Sequence, residues 1–195
     1  MTKVVENTFR AVNIAFANEL AKICRHDNMD VYEIIKICNM HPRVNILQPG
    51  PGVGGHCISV DPWFLVHTDP EHTPLIRMAR EVNDAKPHHV VKHIIELAKQ
   101  FAAPKIGCLG LTYKSDVDDL RESPSLEIVR ELREKNVGEI LACDPYISEK
   151  RFSEFPLHEL SHVLEQSHIV VLLTDHRQFK KIPRRILQEK VIVDT

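Results

Sequence analysis

The chain has 195 residues, of which 25 are basic and 27 acidic, so its formal charge is −2. This balance excludes the basic surface of a nucleic-acid-binding protein, and a hydrophobic fraction of 43% is typical of a globular protein with a core. The apolar runs are far shorter than the roughly 20 residues needed to cross a bilayer. We therefore expect a cytoplasmic protein with neither nucleic acid nor membrane as a partner.

The first half of the chain is predicted to be helical. Apolar residues recur at intervals of three and four after Thr2, which indicates an amphipathic helix capped by Thr2 and ending near His26. A second helix is predicted over 31–39. A third covers 74–101, where Pro87 must kink or divide the helix.

A glycine-rich loop separates the second and third predicted helices. From 44 to 55 it holds two prolines and four glycines, a composition that disfavours helix and strand but lets backbone approach a ligand. Cys57 closes this loop, directly after His56 and four residues before Asp61. A thiol here is a candidate nucleophile, because backbone N–H groups can polarise the reacting centre; a small buried hydrophobe is the alternative.

The second half is predicted to be an α/β domain. Short apolar strands alternate with helices, which indicates a parallel sheet covered by helices. The fold class is therefore α followed by Rossmann-like α/β, with domains 1–103 and 104–195. The strands are predicted at 105–113, 139–143, 169–173 and 191–193, and the helices between them begin near 123, 158 and 183.

The other cysteines and the histidines give no sign of a metal site. Five cysteines form an odd set without a Cys-x-x-Cys pair, and the twelve histidines lack a ligand spacing such as His-Glu-x-x-His. We expect no metal, and we expect four cysteines to be small buried residues: Cys24, Cys38, Cys108 and Cys143.

Lys3 and Asn7 lie four residues apart and therefore share one face of the first predicted helix. Both side chains donate hydrogen bonds to developing negative charge, which suits a reaction at a carbonyl. A solvated helix face explains the same spacing equally well. Periodicity alone leaves both readings open.

Three separated segments resemble one known family. They are KVVENTFRAVNIAFANEL from Lys3, PGPGVGGHCISVDP from Pro49 and GLTYKSDVDDLRESPSLEIVREL from Gly110. They are similar to the UDP-glucose/GDP-mannose dehydrogenase family, and most to its branch that oxidises UDP-N-acetyl-D-mannosamine. The resemblance implies a helical region that forms a homodimer, followed by a Rossmann-like domain that binds the UDP-sugar substrate.

The family's N-terminal NAD-binding domain has no counterpart in the segments that match. No strand with a Gly-x-Gly-x-x-Gly turn precedes Lys3. We therefore expect a fragment of an NAD-dependent enzyme that is inactive alone. The alternatives are a non-catalytic UDP-sugar-binding or dimerisation module of a split enzyme and, less in keeping with the motifs, a redox-sensing thiol protein.

The resemblance also assigns roles to individual residues. In the family, the sugar's C6 alcohol is oxidised to a carboxylate in two hydride transfers to NAD, through a thiohemiacetal and a thioester on a cysteine that matches Cys57. Lys3 and Asn7 match residues that move a proton or stabilise an oxyanion, and Asp61 matches one linked to water activation. Lys114 and Arg121 match basic positions near the domain junction, Arg121 towards the cofactor; a salt bridge at a helix start is the alternative for both. The implied substrate-binding residues are Arg43, Asn45, Gly52, Gly54, Gly55 and Lys114.

Overall fold

The computed structural model describes residues 1–148 and 152–195, which form two compact units, Met1–Lys86 and Pro87–Thr195. The first unit is helical, and the second contains a parallel sheet with helices, so the predicted fold class is confirmed. The division into domains at 103/104 stays a prediction. None of the described helices is long and apolar enough to span a membrane.

Four helices make up the first unit, and a fifth begins at its last residue. They are α1 (Thr2–His26), α2 (Val31–Cys38), α3 (Asp61–Thr68), α4 (Pro74–Asp84) and α5 (Lys86–Ala98).

Helix α1 has the predicted span, but the predicted cap is wrong. Met1 occupies the N-cap position, and Thr2 is already helical, so its hydroxyl does not cap the helix. In α2, by contrast, the Asp30 carboxylate caps the helix by accepting hydrogen bonds from the backbone N–H groups of Tyr32 and Glu33.

The apolar stripe of α1 faces solvent in the first unit. Phe9 is 62% exposed, Phe16 53% and Ile23 56%. The face that contacts α3 and α4 carries small or polar residues instead. Its buried members are Asn7, Thr8, Ala11, Ala15, Ala17, Asn18 and Cys24.

The helix predicted over 74–101 is two helices, as Pro87 suggested. α4 ends at Asp84, and α5 begins at Lys86 with Pro87 in its first turn, where a residue without an N–H is tolerated. Helix α3 was not predicted.

The second unit is built on four parallel strands in the order β2-β1-β3-β4. Strand β1 is central and almost fully buried, because helices cover both faces of a parallel sheet. The strands are β1 (Lys105–Leu109), β2 (Glu139–Cys143), β3 (Ile169–Leu172) and β4 (Val191–Asp194), and the helices are α6 (Pro124–Glu134), α7 (Leu160–Gln166) and α8 (Arg184–Leu187).

Candidate functional site

Cys57 lies in a tight turn that leads directly into α3. The Cys57 carbonyl accepts hydrogen bonds from the backbone N–H of Val60 at 3.2 Å and of Asp61 at 2.8 Å. Gly55 has φ of 79°, a conformation that favours glycine, and its carbonyl accepts a hydrogen bond from the Ser59 hydroxyl. The turn is therefore fixed by local hydrogen bonds on both sides of the thiol.

Asn7 and Asp61 are joined in the structure, although they are far apart in sequence. The Asn7 Nδ2 donates to Asp61 Oδ2 at 2.7 Å, and both residues are buried. Asp61 is also the first residue of α3, where the positive end of the helix dipole favours a carboxylate. This pair connects α1 to the Cys57 turn.

Lys3 lies one turn before Asn7 on α1 and is exposed to solvent. Arg43 and Asn45 are also exposed, at the start of the loop that ends at Cys57. The structure thus groups Cys57 with Asn7 and Asp61 by hydrogen bonds, and it leaves three predicted site side chains facing solvent.

A buried guanidinium lies beneath the Cys57 turn. Arg80 is 2% exposed, and its Nη1 donates to the carbonyl of Ile58 at 3.4 Å, while Nη2 pairs with Asp84. Burial lowers the Arg80 pKa, and the Asp84 charge opposes that change. Within residues 1–148 and 152–195, the Arg80 Nε has no hydrogen-bond partner.

Cys57 is one of two half-buried thiols, together with Cys38, so the expectation that Cys38 is buried is wrong. Cys24, Cys108 and Cys143 are buried as predicted. Burial raises the pKa of Cys108 and of Cys143 to about 12, which disfavours the reactive thiolate at these two residues.

In the second unit, the loops after β1 and β3 run in opposite directions from the carboxyl edge of the sheet. Strand β2 lies on one side of β1, and β3 lies on the other, so the loops after β1 and β3 flank a topological switch point. Open α/β sheets bind ligands at such a point. The loop after β1 carries Lys114, which is exposed.

A buried histidine holds these loops together. The His176 Nδ1 accepts the backbone N–H of Asp116 at 2.9 Å, which places the ring proton on Nε2, facing Asp144 Oδ2 at 3.2 Å. Burial raises the Asp144 pKa, but hydrogen bonds from His176 and from backbone N–H groups outweigh it, so the pKa is lowered. Among those donors, the backbone N of Leu111 lies 2.7 Å from Asp144 Oδ2.

Arg121 makes an ion pair with Asp119 just before α6. Its Nη2 lies 2.6 Å from Asp119 Oδ2, and its Nε lies 2.9 Å from Oδ1. The salt bridge considered as the alternative for Arg121 is therefore present. Contact with a cofactor stays a prediction.

The glycines of β1 and its turn allow close packing. A Cβ at Gly107 would lie 2.4 Å from the Ser167 hydroxyl, and one at Gly110 would lie 2.5 Å from Cβ of Thr174. Their spacing is Gly-x-x-Gly and not the Gly-x-Gly-x-x-Gly of a dinucleotide-binding turn. The β1 turn is therefore a poor fit to NAD.

Comparison with known families agrees with both units. Residues 1–85 match the model of the UDP-glucose/GDP-mannose dehydrogenase family, central domain, and residues 107–195 match the UDP binding domain of the same family. The chain belongs to the UDP-glucose/GDP-mannose dehydrogenase family. The resemblance predicted from sequence is confirmed.

Several members of the UDP-glucose/GDP-mannose dehydrogenase family are similar over the whole chain. An NDP-N-acetyl-D-galactosaminuronic acid dehydrogenase from Ralstonia nicotianae is 51% identical over 100% of this chain and 47% of its own length. A UDP-N-acetyl-D-mannosamine dehydrogenase from Campylobacter jejuni is 49% identical over 93% of this chain and 46% of its own. The solved UDP-N-acetyl-mannosamine dehydrogenase from S. aureus has a TM-score of 0.87 and 44% identity, over 100% of this chain and 46% of that one. The chain spans about half the length of these relatives.

Sequence reasoning missed polar residues that anchor both candidate sites. Asp144 directly follows the buried strand β2, and that position was the available signal, whereas no local pattern marked His176 in the loop after β3. Asn13 and Asn39 hold the loop that precedes Cys57, and no local pattern marked them.

Proposed function

We propose that this chain carries the catalytic-cysteine loop and the UDP-sugar-binding domain of an NAD-dependent nucleotide-sugar 6-dehydrogenase. The proposed reaction is oxidation of UDP-N-acetyl-D-mannosamine to UDP-N-acetyl-D-mannosaminuronate. The observation that carries the proposal is the buried Asn7–Asp61 hydrogen bond, which joins two predicted catalytic residues beside the Cys57 turn. The names of the relatives support an N-acetylated sugar.

Cys57 is assigned the covalent step. Its sulfur forms a bond to the C6 carbon of the sugar aldehyde, and the carbonyl oxygen takes a proton to give a thiohemiacetal. Once that adduct has been oxidised to a thioester, water attacks the thioester carbon and breaks the bond to sulfur. The carboxylate product leaves, and the thiol is regenerated.

Lys3, Asn7 and Asp61 are assigned to charge and proton handling. Lys3 and Asn7 lie on one face of α1 and can donate hydrogen bonds to the oxygen that becomes negative during addition to the carbonyl. Asp61, whose carboxylate accepts a hydrogen bond from Asn7, is assigned to orient the hydrolytic water. NAD supplies the hydride acceptor in this family, and no step is assigned to it within the described residues.

The second unit is proposed to hold the UDP part of the substrate. Lys114 lies on the loop after β1 at the switch point, and a cation there suits a diphosphate. In the first unit, Arg43, Asn45 and the glycines at 52, 54 and 55 are proposed to hold the sugar and its phosphates. Both assignments derive from the family resemblance and from backbone geometry.

Site-resolved alkylation of this chain tests the proposal. UDP-N-acetyl-D-mannosamine should slow modification of Cys57 by iodoacetamide about tenfold at ten times its Kd, because only the free fraction reacts. Cys38, the other half-buried thiol, is the internal control and should react at an unchanged rate. If the UDP-sugar leaves the rate of Cys57 alkylation unchanged, the proposal is contradicted. A parallel series with UDP-N-acetyl-D-galactosamine tests the choice of sugar.

A non-catalytic module is the second candidate, favoured by the poor fit of the β1 turn to a dinucleotide. Such a module binds UDP or forms a dimer without a reactive thiol. Calorimetric binding of UDP together with equal alkylation rates for Cys57 and Cys38 would support it.

A further inference from the structure

The segment 45–50 runs without helix or strand, yet its backbone is hydrogen-bonded at positions 45, 46, 47 and 50. It lies directly before the glycines proposed to approach the substrate. The partners are not another strand but the side-chain amides of three asparagines from α1 and from the end of α2: Asn13, Asn18 and Asn39.

The hydrogen bonds alternate sides as they do along a β-strand. The Asn39 Oδ1 accepts the Ile46 N–H at 2.7 Å, and its Nδ2 donates to the Ile46 carbonyl at 2.9 Å. The Asn13 amide binds the neighbouring groups, as it accepts the Leu47 N–H and donates to the Asn45 carbonyl, both at 2.8 Å. In an extended chain, both groups of one residue point to one side, and the flanking groups point to the other.

Asn18 fixes the point where the glycine loop begins. Its Oδ1 accepts the Gly50 N–H at 3.1 Å and also faces the Lys86 Nζ at 3.3 Å. Its Nδ2 donates to Asn83 Oδ1 at 3.0 Å, and Asn18 is fully buried. The orientation of this amide is therefore set from both of its ends.

The geometry points to Asn13, Asn18 and Asn39 as positioning residues for the segment 45–50 and for the glycine loop that follows it. The Asn13 and Asn39 amides replace peptide groups of a missing neighbouring strand, and Asn18 holds the Gly50 N–H, so the segment 45–50 is ordered before the ligand arrives. A loop that is already ordered loses less conformational entropy on binding, and affinity rises accordingly. This role rests on the proposed function, because it concerns the same UDP-sugar site.

Leucine substitutions at two of the asparagines test the role. Asn13→Leu and Asn39→Leu remove the amides from two different elements while keeping a side chain of similar size. We expect each to speed amide hydrogen exchange at Ile46 and Leu47 and to weaken binding of UDP-N-acetyl-D-mannosamine about tenfold, measured by calorimetry on the whole chain.

Asn83→Leu is the matched control. It removes a buried amide that binds Asn18 and, at 2.9 Å, the Ala11 carbonyl, but it does not touch 45–47. It should lower the free energy of unfolding while leaving exchange at Ile46 and Leu47 near the wild-type rate. This control separates loss of positioning from general loss of stability.

The outcomes distinguish the two claims. If the unsubstituted chain binds no UDP-sugar, the proposed function fails and the positioning role fails with it. If the unsubstituted chain binds and both leucine variants bind equally well, only the positioning role is wrong. The same conclusion follows if Asn83→Leu speeds amide hydrogen exchange at Ile46 and Leu47 as much as the two leucine variants do. Should one variant fail to fold, the other decides, because the two asparagines belong to different elements.

Discussion

Lys86 is a buried cation at the start of α5. It is 3% exposed, and its Nζ lies 3.3 Å from Asn18 Oδ1. Burial, followed by the nearby charges of Arg25 and Lys22, lowers the Lys86 pKa to about 8. The folded protein therefore releases this proton more readily than the unfolded chain, in which lysine keeps a pKa of 10.5.

The Lys86 contribution to stability is expected to rise with pH between about 8 and 10.5. In that window the unfolded chain keeps the Lys86 proton when the folded protein has lost it, which adds an amount of order 3 kcal/mol to the free energy of unfolding across the window. Cys108 and Cys143 act in the opposite direction above about pH 9, because their raised pKa keeps both thiols protonated in the folded protein. Lys86→Met should be more stable than the wild type at pH 7, and this advantage should shrink between about pH 8 and 10.5, as measured by urea unfolding at a series of pH values. The stability difference between the wild type and Lys92→Met, at an exposed position of α5, should change little with pH. A difference between the wild type and Lys86→Met that is independent of pH contradicts the prediction.

At the residue scale, the sequence predicted candidate site residues but not the residues that support them. Cys57 and Asp61 share one loop, and Lys3 and Asn7 share one helix face, and the family resemblance selected these four from the alternatives that spacing left open. The sequence did not reveal the distant residues that hold the loop before Cys57 in place. An asparagine such as Asn13 in a helix is compatible with a solvated face, and its bonds to 45 and 47 exist only after the chain folds back.

At the element scale, Ser123 couples a helix to the sheet. Its hydroxyl caps α6 by accepting the Leu126 N–H at 3.3 Å, and it donates to the Leu111 carbonyl at 2.6 Å. Both bonds are buried. The side chain thus fixes the start of α6 against the loop that leaves β1.

Ser123→Ala is expected to lower the free energy of unfolding by about 1–2 kcal/mol, because a cap is lost and a buried carbonyl is left unpaired. Urea unfolding measures the change. Ser123→Thr should retain most of the stability, and Ser161→Ala, exposed on α7, should change it little. An alanine variant as stable as the wild type would show that water replaces the hydroxyl.

Elements were predictable where burial leaves a simple pattern. The strands of the second unit were predicted from short apolar runs, because a parallel strand that is buried on both faces is apolar at nearly every residue. Helix α3 was missed because its apolar residues at 63–66 are consecutive and therefore show no helical period. Asp61 and Pro62 at its start were the signal that remained.

At the scale of the whole molecule, a homodimer through α1 remains a prediction. The exposed side chains of Phe9, Phe16 and Ile23 form one stripe, and burying apolar surface contributes about 25 cal/mol per Å². Exposed apolar stripes of this kind mark protein interfaces. The predicted partner is a second copy of this chain.

The double substitution Phe9→Glu with Phe16→Glu should convert the dimer to a monomer, because two carboxylates would have to be desolvated at the interface. Light scattering after size-exclusion chromatography measures the mass. Met40→Glu, exposed at the end of α2, should leave the dimer intact. A wild-type chain that is monomeric at all concentrations contradicts the prediction.

The two faces of α1 impose different rules on its evolution. On the packed face, Ala11, Ala15 and Asn18 sit against other helices, so substitutions there are limited by size. On the stripe, Phe9 and Phe16 have space around them in the unit, so hydrophobicity and not side-chain volume limits substitution there. Tolerated substitutions along α1 should therefore show two helical periodicities that differ in phase. Positions on the packed face should accept only small side chains, and positions on the stripe should accept hydrophobic side chains of various sizes.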